Sequence, residues 1–176
     1  MIHVRELDCG ALARLAEIDR SELIGRWYRV ASGKLQSEQV VWNVPRWSDE
    51  QITEFVTKLT PELEAGGIVF GAEENSHLIG VAVLGNRPLG PGDELLQLVF
   101  LHVSRKHRRR GIATLLVDAA AATARQRGAR GLYISATASE SALGFYMRRG
   151  AVLLDEPDPQ LLAQEPEDIH LAEFFS

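Results

Sequence analysis

The sequence has little of what staples a secreted or metal-bound protein. Cys9 is its one cysteine, so no internal disulfide forms and no CxxC or Cys/His cluster is present to hold zinc. No apolar stretch approaches the ~20 residues a membrane-spanning helix needs. The beginning, Met1-Ile2-His3-Val4-Arg5-Glu6, carries base and acid at once and does not read as a secretory signal. These absences predict a soluble protein of a reducing, cytoplasmic compartment. GKS, GKT and GxGxxG are missing too, which removes the usual signatures of nucleotide hydrolysis and hydride transfer. Lysine is scarce, at three of nineteen cations.

What is present describes an ordinary globular chain. Hydrophobic residues make up 45% of 176, enough to exclude intrinsic disorder and to fill one core. The net charge of −5 argues against a protein that coats nucleic acid. Its distribution is uneven. Val103 to Gly131 carries +7, and Leu154 to Ser176 carries −7. A basic island in an acidic protein suits a small anionic ligand, although an exposed helix would show the same charges.

Periodicity predicts a strand at 2–7, then a short helix that Asp8 could cap, with Leu12, Leu15 and Ile18 on one face. Ala31-Ser32-Gly33-Lys34 reads as the turn of a hairpin joining Trp27–Val30 to Leu35–Val41. Asn43 to Trp47 reads as a loop. Ser48-Asp49-Glu50-Gln51 has capping-box spacing and opens a helix to about Leu63. Strands follow at 68–72 and 78–84, and a loop is expected at 86–93. A buried strand spans Leu95–Val103, and a long helix runs from Gly111 to Arg127. Then come a strand at 132–136, a helix after Ser139 and terminal strands at 151–154 and 169–174. Between these last two, the proline-rich acidic stretch Asp155–Asp168 reads as a surface loop. The order predicts an α/β fold, a mixed sheet of about six to seven strands with parallel central strands and flanking helices.

The stretch with chemistry in it is Leu101-His102-Val103-Ser104-Arg105-Lys106-His107-Arg108-Arg109-Arg110-Gly111-Ile112-Ala113-Thr114. A buried strand enters a basic turn that opens a long helix. Such a turn offers unpaired N–H groups and the positive end of the helix dipole. Gly111 and the small Ala113 let a ligand come close. Several N–H groups with nearby arginines suit a pyrophosphate.

Arg108-x-x-Gly111-x-Ala113 after Val103-Ser104 resembles the acetyl-CoA signature of GNAT N-acetyltransferases. Ala142-x-x-Phe145-Tyr146-x-x-x-Gly150 is similar to a later helix of that family, and Asp168-Ile169-His170-Leu171 to its last core strand. The similarity covers about Gly67 to Phe174. It implies one domain, with 1–66 as acceptor-side helices plus an extra hairpin and 67–176 as the core with the acetyl-CoA site. It implies pyrophosphate binding by backbone N–H groups from Arg108 through Arg109, Arg110, Gly111 and Ile112 to Ala113, extended by Thr114. It also implies pairing of the pantetheine arm with Leu101 and Val103, which flank His102. Tyr146 would protonate the departing thiolate. A phenol, with an ordinary pKa near 10, can donate to a sulfur anion, although Tyr146 also reads as a core aromatic whose hydroxyl reaches the rim. No metal is implied.

The chain departs from the family at two places. Ser139 stands where many members carry a cofactor-contacting Asn, and either touches the cofactor or only caps the helix. Gln97 and Val99 stand where many members carry a carboxylate base. Glu94 is then the first candidate base, with His102 and Glu73 behind it; His77 reads as a surface residue and Cys9 as remote from the motifs. Trp27, Tyr28, Trp42 and Trp47 either line an acceptor pocket or pack their region onto the sheet. The expected reaction is direct attack by a primary amine of a small molecule or peptide on acetyl-CoA, in a monomer or homodimer, with no nucleic-acid or membrane partner. The competing expectation is an acyl-CoA-binding protein without effective catalysis.

Overall fold

The apolar runs of the sequence collect into one sheet. The computed structural model describes residues 1–176. β1 (Ile2–Leu7) is followed by a 3₁₀ helix (Cys9–Glu17), β2 (Glu22–Ala31), β3 (Lys34–Val44) and α1 (Asp49–Glu64). Then come β4 (Ile68–Glu74), β5 (His77–Leu89), β6 (Leu95–Val103), a 3₁₀ turn (Arg105–His107) and α2 (Ile112–Gln126). β7 (Gly131–Ala136), α3 (Glu140–Arg148), β8 (Val152–Leu153), α4 (Pro159–Gln164) and β9 (Ile169–Phe174) complete the chain. The seven-stranded sheet has the order β1-β4-β5-β6-β7-β9-β8, and β2 and β3 pair apart as a hairpin. No helix is long and apolar enough to cross a membrane.

Helices cover both faces. α2 and α3 bury Ile112, Leu116, Ala120, Leu143 and Tyr146 against Leu98 and Ile134. The first 3₁₀ helix and α1 bury Leu12, Leu15 and Leu59 against Val83 and Phe100 on the other face. Each fully buried leucine contributes about 2 kcal/mol. α1 starts at the expected capping box: Gln51 N donates to Ser48 Oγ at 3.2 Å, and Ser48 N donates to Gln51 Oε1 at 3.1 Å.

Several expectations need correcting. Of the central strands only β6 and β7 run parallel; all other neighbours are antiparallel. The first third holds one α-helix, because 9–17 winds as 3₁₀ and Asp8 makes no side-chain cap. The hairpin strands are longer than the alternation suggests, and β3 runs on to Val44. β5 continues through the expected 86–93 loop to Leu89. Breaks in register around Leu84 set Gly85–Arg87 outside the ladder, and Leu89 then pairs with Leu95 in a small core. The 155–168 stretch contains α4. Asp158 accepts from Gln160 N and Leu161 N at 3.1 and 3.0 Å, Pro159 takes the first helical position, and Leu161 is buried. Proline tolerates that position because its missing N–H has no helical partner to lose.

Candidate active site

The site begins where two parallel strands part. β6 pairs with β7 only from Leu95↔Gly131 to Leu98↔Ile134. At that point the β5 register jumps from Val83↔Phe100 to Leu84↔Leu98, which leaves Val99 as a bulge. A bulge bends its strand and ends pairing, so β6 from Val99 to Val103 has no strand on its β7 side. Ser104 N donates to Ile79 O at 2.8 Å. Hydrogen bonding toward β5 therefore uses alternate residues, and Leu101 and Val103 turn their peptide groups to the open side. An extended ligand can add there as a strand would.

The same strand delivers the basic turn. Arg109 and Gly111 both take left-handed backbone angles, φ +61° and +79°. Arg109 through Thr114 donate no backbone hydrogen bond within the protein. Six consecutive free N–H groups, curled by two left-handed residues at a helix start, form an anion-binding concavity. A Cβ built on Gly111 would project into open space, with nothing within 4 Å. Arg108 pins this turn, its Nε donating to Val103 O at 3.1 Å and Nη2 to Arg20 O at 3.0 Å. Its own N–H reaches Arg105 O at 3.4 Å. Arg110 and His107 both lie 3.2 Å from Glu74. Arg105, Lys106 and Arg109 remain exposed.

Tyr146 lies on α3 in the core that also holds Ile134, Ala136 and Ala138 beside the opening. Burial, with the nearby Glu173 charge, pushes its phenol above the ordinary tyrosine range, against the opposing pull of Arg149. It therefore keeps its proton. Ser139 caps α3, its Oγ accepting from Ala142 N at 3.4 Å.

The remaining candidates separate. Glu94 stands at the entrance to β6, its carboxylate accepting from Gly92 N at 2.7 Å. At ~3.3 Å per residue, five positions of strand put it about 16 Å from Val99, where the opening begins, so its carboxylate stands away from the opening. Glu73 is bound by Arg5 and Arg14 on the far side of β5, and its carboxyl is lowered by the Arg14 hydrogen bond first. His77 is exposed at the start of β5, just after the β4–β5 turn. His102 sits among aromatics, 5.0 Å from the Trp47 ring and 4.6 Å from Phe100. Burial, with Arg20 and Arg108 nearby, brings its imidazole down to about 4, so it is neutral and a weak base.

The aromatic quartet divides as well. Trp47 packs on Phe55 and Phe100 below Arg20. Trp27 meets Trp42 with tilted rings, their centroids 4.8 Å apart. Trp27 and Tyr28 line a cleft of about 580 Å³ whose opposite wall runs from Leu153 to His170. Tyr28 N donates to Ala138 O at 2.8 Å, and Trp27 bridges Ser139, which fastens the hairpin to the end of β7. Two cleft residues with chemistry, Asp168 and His170, escape a reading of the sequence, where they stand only as part of a family motif on the last strand.

Known proteins share this fold. Residues 28–151 match the model of the acetyltransferase (GNAT) family. No curated protein matches the chain in sequence. Among solved structures, nourseothricin acetyltransferase superposes with a TM-score of 0.72 at 20% identity, covering 98% of each chain. A PaiA N-acetyltransferase from Thermoplasma acidophilum, in complex with coenzyme A, gives 0.63 at 18% identity over 99% of each chain. A GNAT family acetyltransferase from Brucella melitensis, in complex with acetyl-CoA, gives 0.58 at 18% identity, covering 100% of this chain and 89% of that one. At these identities the structural likeness speaks for the fold.

Proposed function

The chain belongs to the acetyltransferase (GNAT) family, and from that premise we propose that it moves an acetyl group from acetyl-CoA to a primary amine by direct attack in a ternary complex. One observation carries the reading: six free amides from Arg109 to Thr114 adjoin an unpaired strand edge. The first feature suits a diphosphate and the second an extended, amide-bearing arm, and coenzyme A joins those two chemistries in one molecule. Residues 67–176 would hold the donor, and the hairpin of the first third would wall the acceptor side.

In this reading the amine nitrogen attacks the thioester carbonyl. The C–N bond forms, the C–S bond breaks, and the sulfur leaves as a thiolate. Tyr146, kept protonated by burial, donates to that sulfur and is reprotonated from water. The nitrogen gives up its surplus proton to ordered water, since Gln97 and Val99 offer no base on β6 and Glu94 is bound in its turn. A peptide N–H on the open edge of β6 polarises the carbonyl while charge develops on it. Ser139 serves as the cap of α3, which orients Tyr146.

Isothermal titration with acetyl-CoA tests the donor site, and saturable binding is expected. Absence of binding at millimolar concentration removes the proposal. Binding without thiol release across a panel of amines would instead assign an acyl-CoA-binding role.

A further inference from the structure

β2 stays out of the main sheet and crosses the place where β6 and β7 part. Arg108 ties the chain just before β2 to the end of β6, its Nη2 donating to Arg20 O and its Nε to Val103 O. Further along, Tyr28 N donates to Ala138 O and Trp27 bridges Ser139, both just past β7. Residues 22–25 of this crossing and 139–141 at the start of α3 line a cavity of about 240 Å³. Gly25 stands at a break in the β2–β3 register, and a Cβ built on it would meet nothing within 4 Å. The crossing therefore leaves room for a ligand at the opening.

Two acids line this cavity. Glu140 is exposed in the first turn of α3, where an acid suits the helix dipole. Glu22 is different. Its side chain is 25% exposed, and Arg108 Nη1 lies 4.0 Å from its Oε1. That distance is too long for a hydrogen bond, so the carboxylate keeps its acceptor positions free. The other acids around the end of β6 are engaged. Asp19 accepts from Ser21 N and pairs with Arg46, each at 3.0 Å. Glu74 holds Arg110 and His107, each at 3.2 Å. Arg108 links Glu22 to the chemistry, because the same guanidinium holds the carbonyl of Val103 at the open edge of β6.

We infer that Glu22 is the base of the transfer, acting through one water. This rests on the acetyl-transfer reading. The acceptor attacks as the free amine, having left one proton in solvent. As the C–N bond forms, the nitrogen becomes acidic and gives its surplus proton to the water, and that water gives one of its own to a Glu22 oxygen. The C–S bond breaks, Tyr146 protonates the sulfur, and Glu22 returns its proton to solvent. A base within one water of the reacting nitrogen contributes typically about 10²–10⁴-fold.

The test is thiol release from acetyl-CoA by the full chain with 1-aminopentane, benzylamine, spermidine and glycinamide, continued with the amine that reacts fastest. Glu22→Gln should lower kcat/KM about 10²–10⁴-fold at pH 7 while coenzyme A affinity, measured by calorimetry, holds. The deficit should shrink toward pH 9, because hydroxide then takes the proton. Glu22→Ala should regain turnover in sodium formate, which supplies a free carboxylate, and the parent should not respond. Glu140→Gln should turn over like the parent. Should Glu22→Ala not fold, the pH profile of Glu22→Gln decides. A Glu22→Gln rate equal to the parent's, a deficit constant with pH, or a coenzyme A affinity that falls in step with the rate overturns this inference and leaves the acetyl-transfer reading standing. Absence of thiol release by the parent with every amine overturns both.

Discussion

At Gly111 the backbone has φ +79° and its missing Cβ faces open space. A branched side chain there meets two separate penalties. The left-handed conformation costs about 1–2 kcal/mol for any L-residue, and the new atoms occupy the concavity lined by the free amides. Gly111→Val should therefore lower the melting temperature modestly and weaken acetyl-CoA binding about tenfold or more, read by thermal unfolding and calorimetry together. Normal affinity in a destabilised variant would show that the diphosphate lies elsewhere. Tyr146 makes the complementary case. Tyr146→Phe removes one oxygen and leaves the ring in its core, so turnover should fall about 10²–10⁴-fold while acetyl-CoA affinity holds. An unchanged rate would retire the phenol as the acid.

Among the elements, α3, which carries Tyr146, shows how one helix is held by others. Arg149, just past its end, binds Glu173 of β9 at 2.8 Å and Asp118 of α2 at 2.9 Å. Glu173 is 8% exposed, so removing its partner strands a buried carboxylate. Arg149→Met should destabilise the protein by about 3 kcal/mol, and adding Glu173→Leu should recover most of that loss. Additive losses in a denaturant double-mutant cycle would show that the pair does not act as one unit. Elements with a purely local cause are legible in the order of residues alone: the Ser48–Gln51 capping box, the Gly33 turn and the helix opening at Gly111. α4 is hidden there, because the prolines and acids around it match a loop composition, although Asp158-Pro159 is a sound helix start. The parting of β6 from β7 is hidden for another reason. A bulge at Val99 exists only relative to the registers of two partner strands, and nothing in the nine residues of β6 marks it.

Across the whole molecule, two partly buried groups pull stability in opposite directions with pH. His102 titrates at about 4 when folded, below its ordinary 6.5. Its contribution is full above about 6.5 and is lost as the pH falls toward 4. Asp168 is raised to about 7 by burial first and by Glu165 next. Its contribution is present in acid and is lost as the pH rises through 7. The two oppose each other in the parent protein, so the comparison that separates them is with Asp168→Asn. The gain in melting temperature from this substitution should be larger at pH 8 than at pH 5. A gain independent of pH would mean that Asp168 is not held protonated by its surroundings.

Arg105 to Arg110 of the basic island stand on the turn before α2, and Asp155, Glu167 and Asp168 line the cleft beneath the hairpin. The turn before α2 is written in the chain order, because a strand, a turn and a helix start are contiguous and their amides need no distant partner to be arranged. The cleft beneath the hairpin arises from packing between remote segments. Folding moves Trp47 into the α1 core, sets Glu94 at the wrong end of its strand, and brings Glu38 into one cleft with Asp168 across more than a hundred residues. Juxtapositions of that kind come from sheet order and registry, which no local spacing encodes.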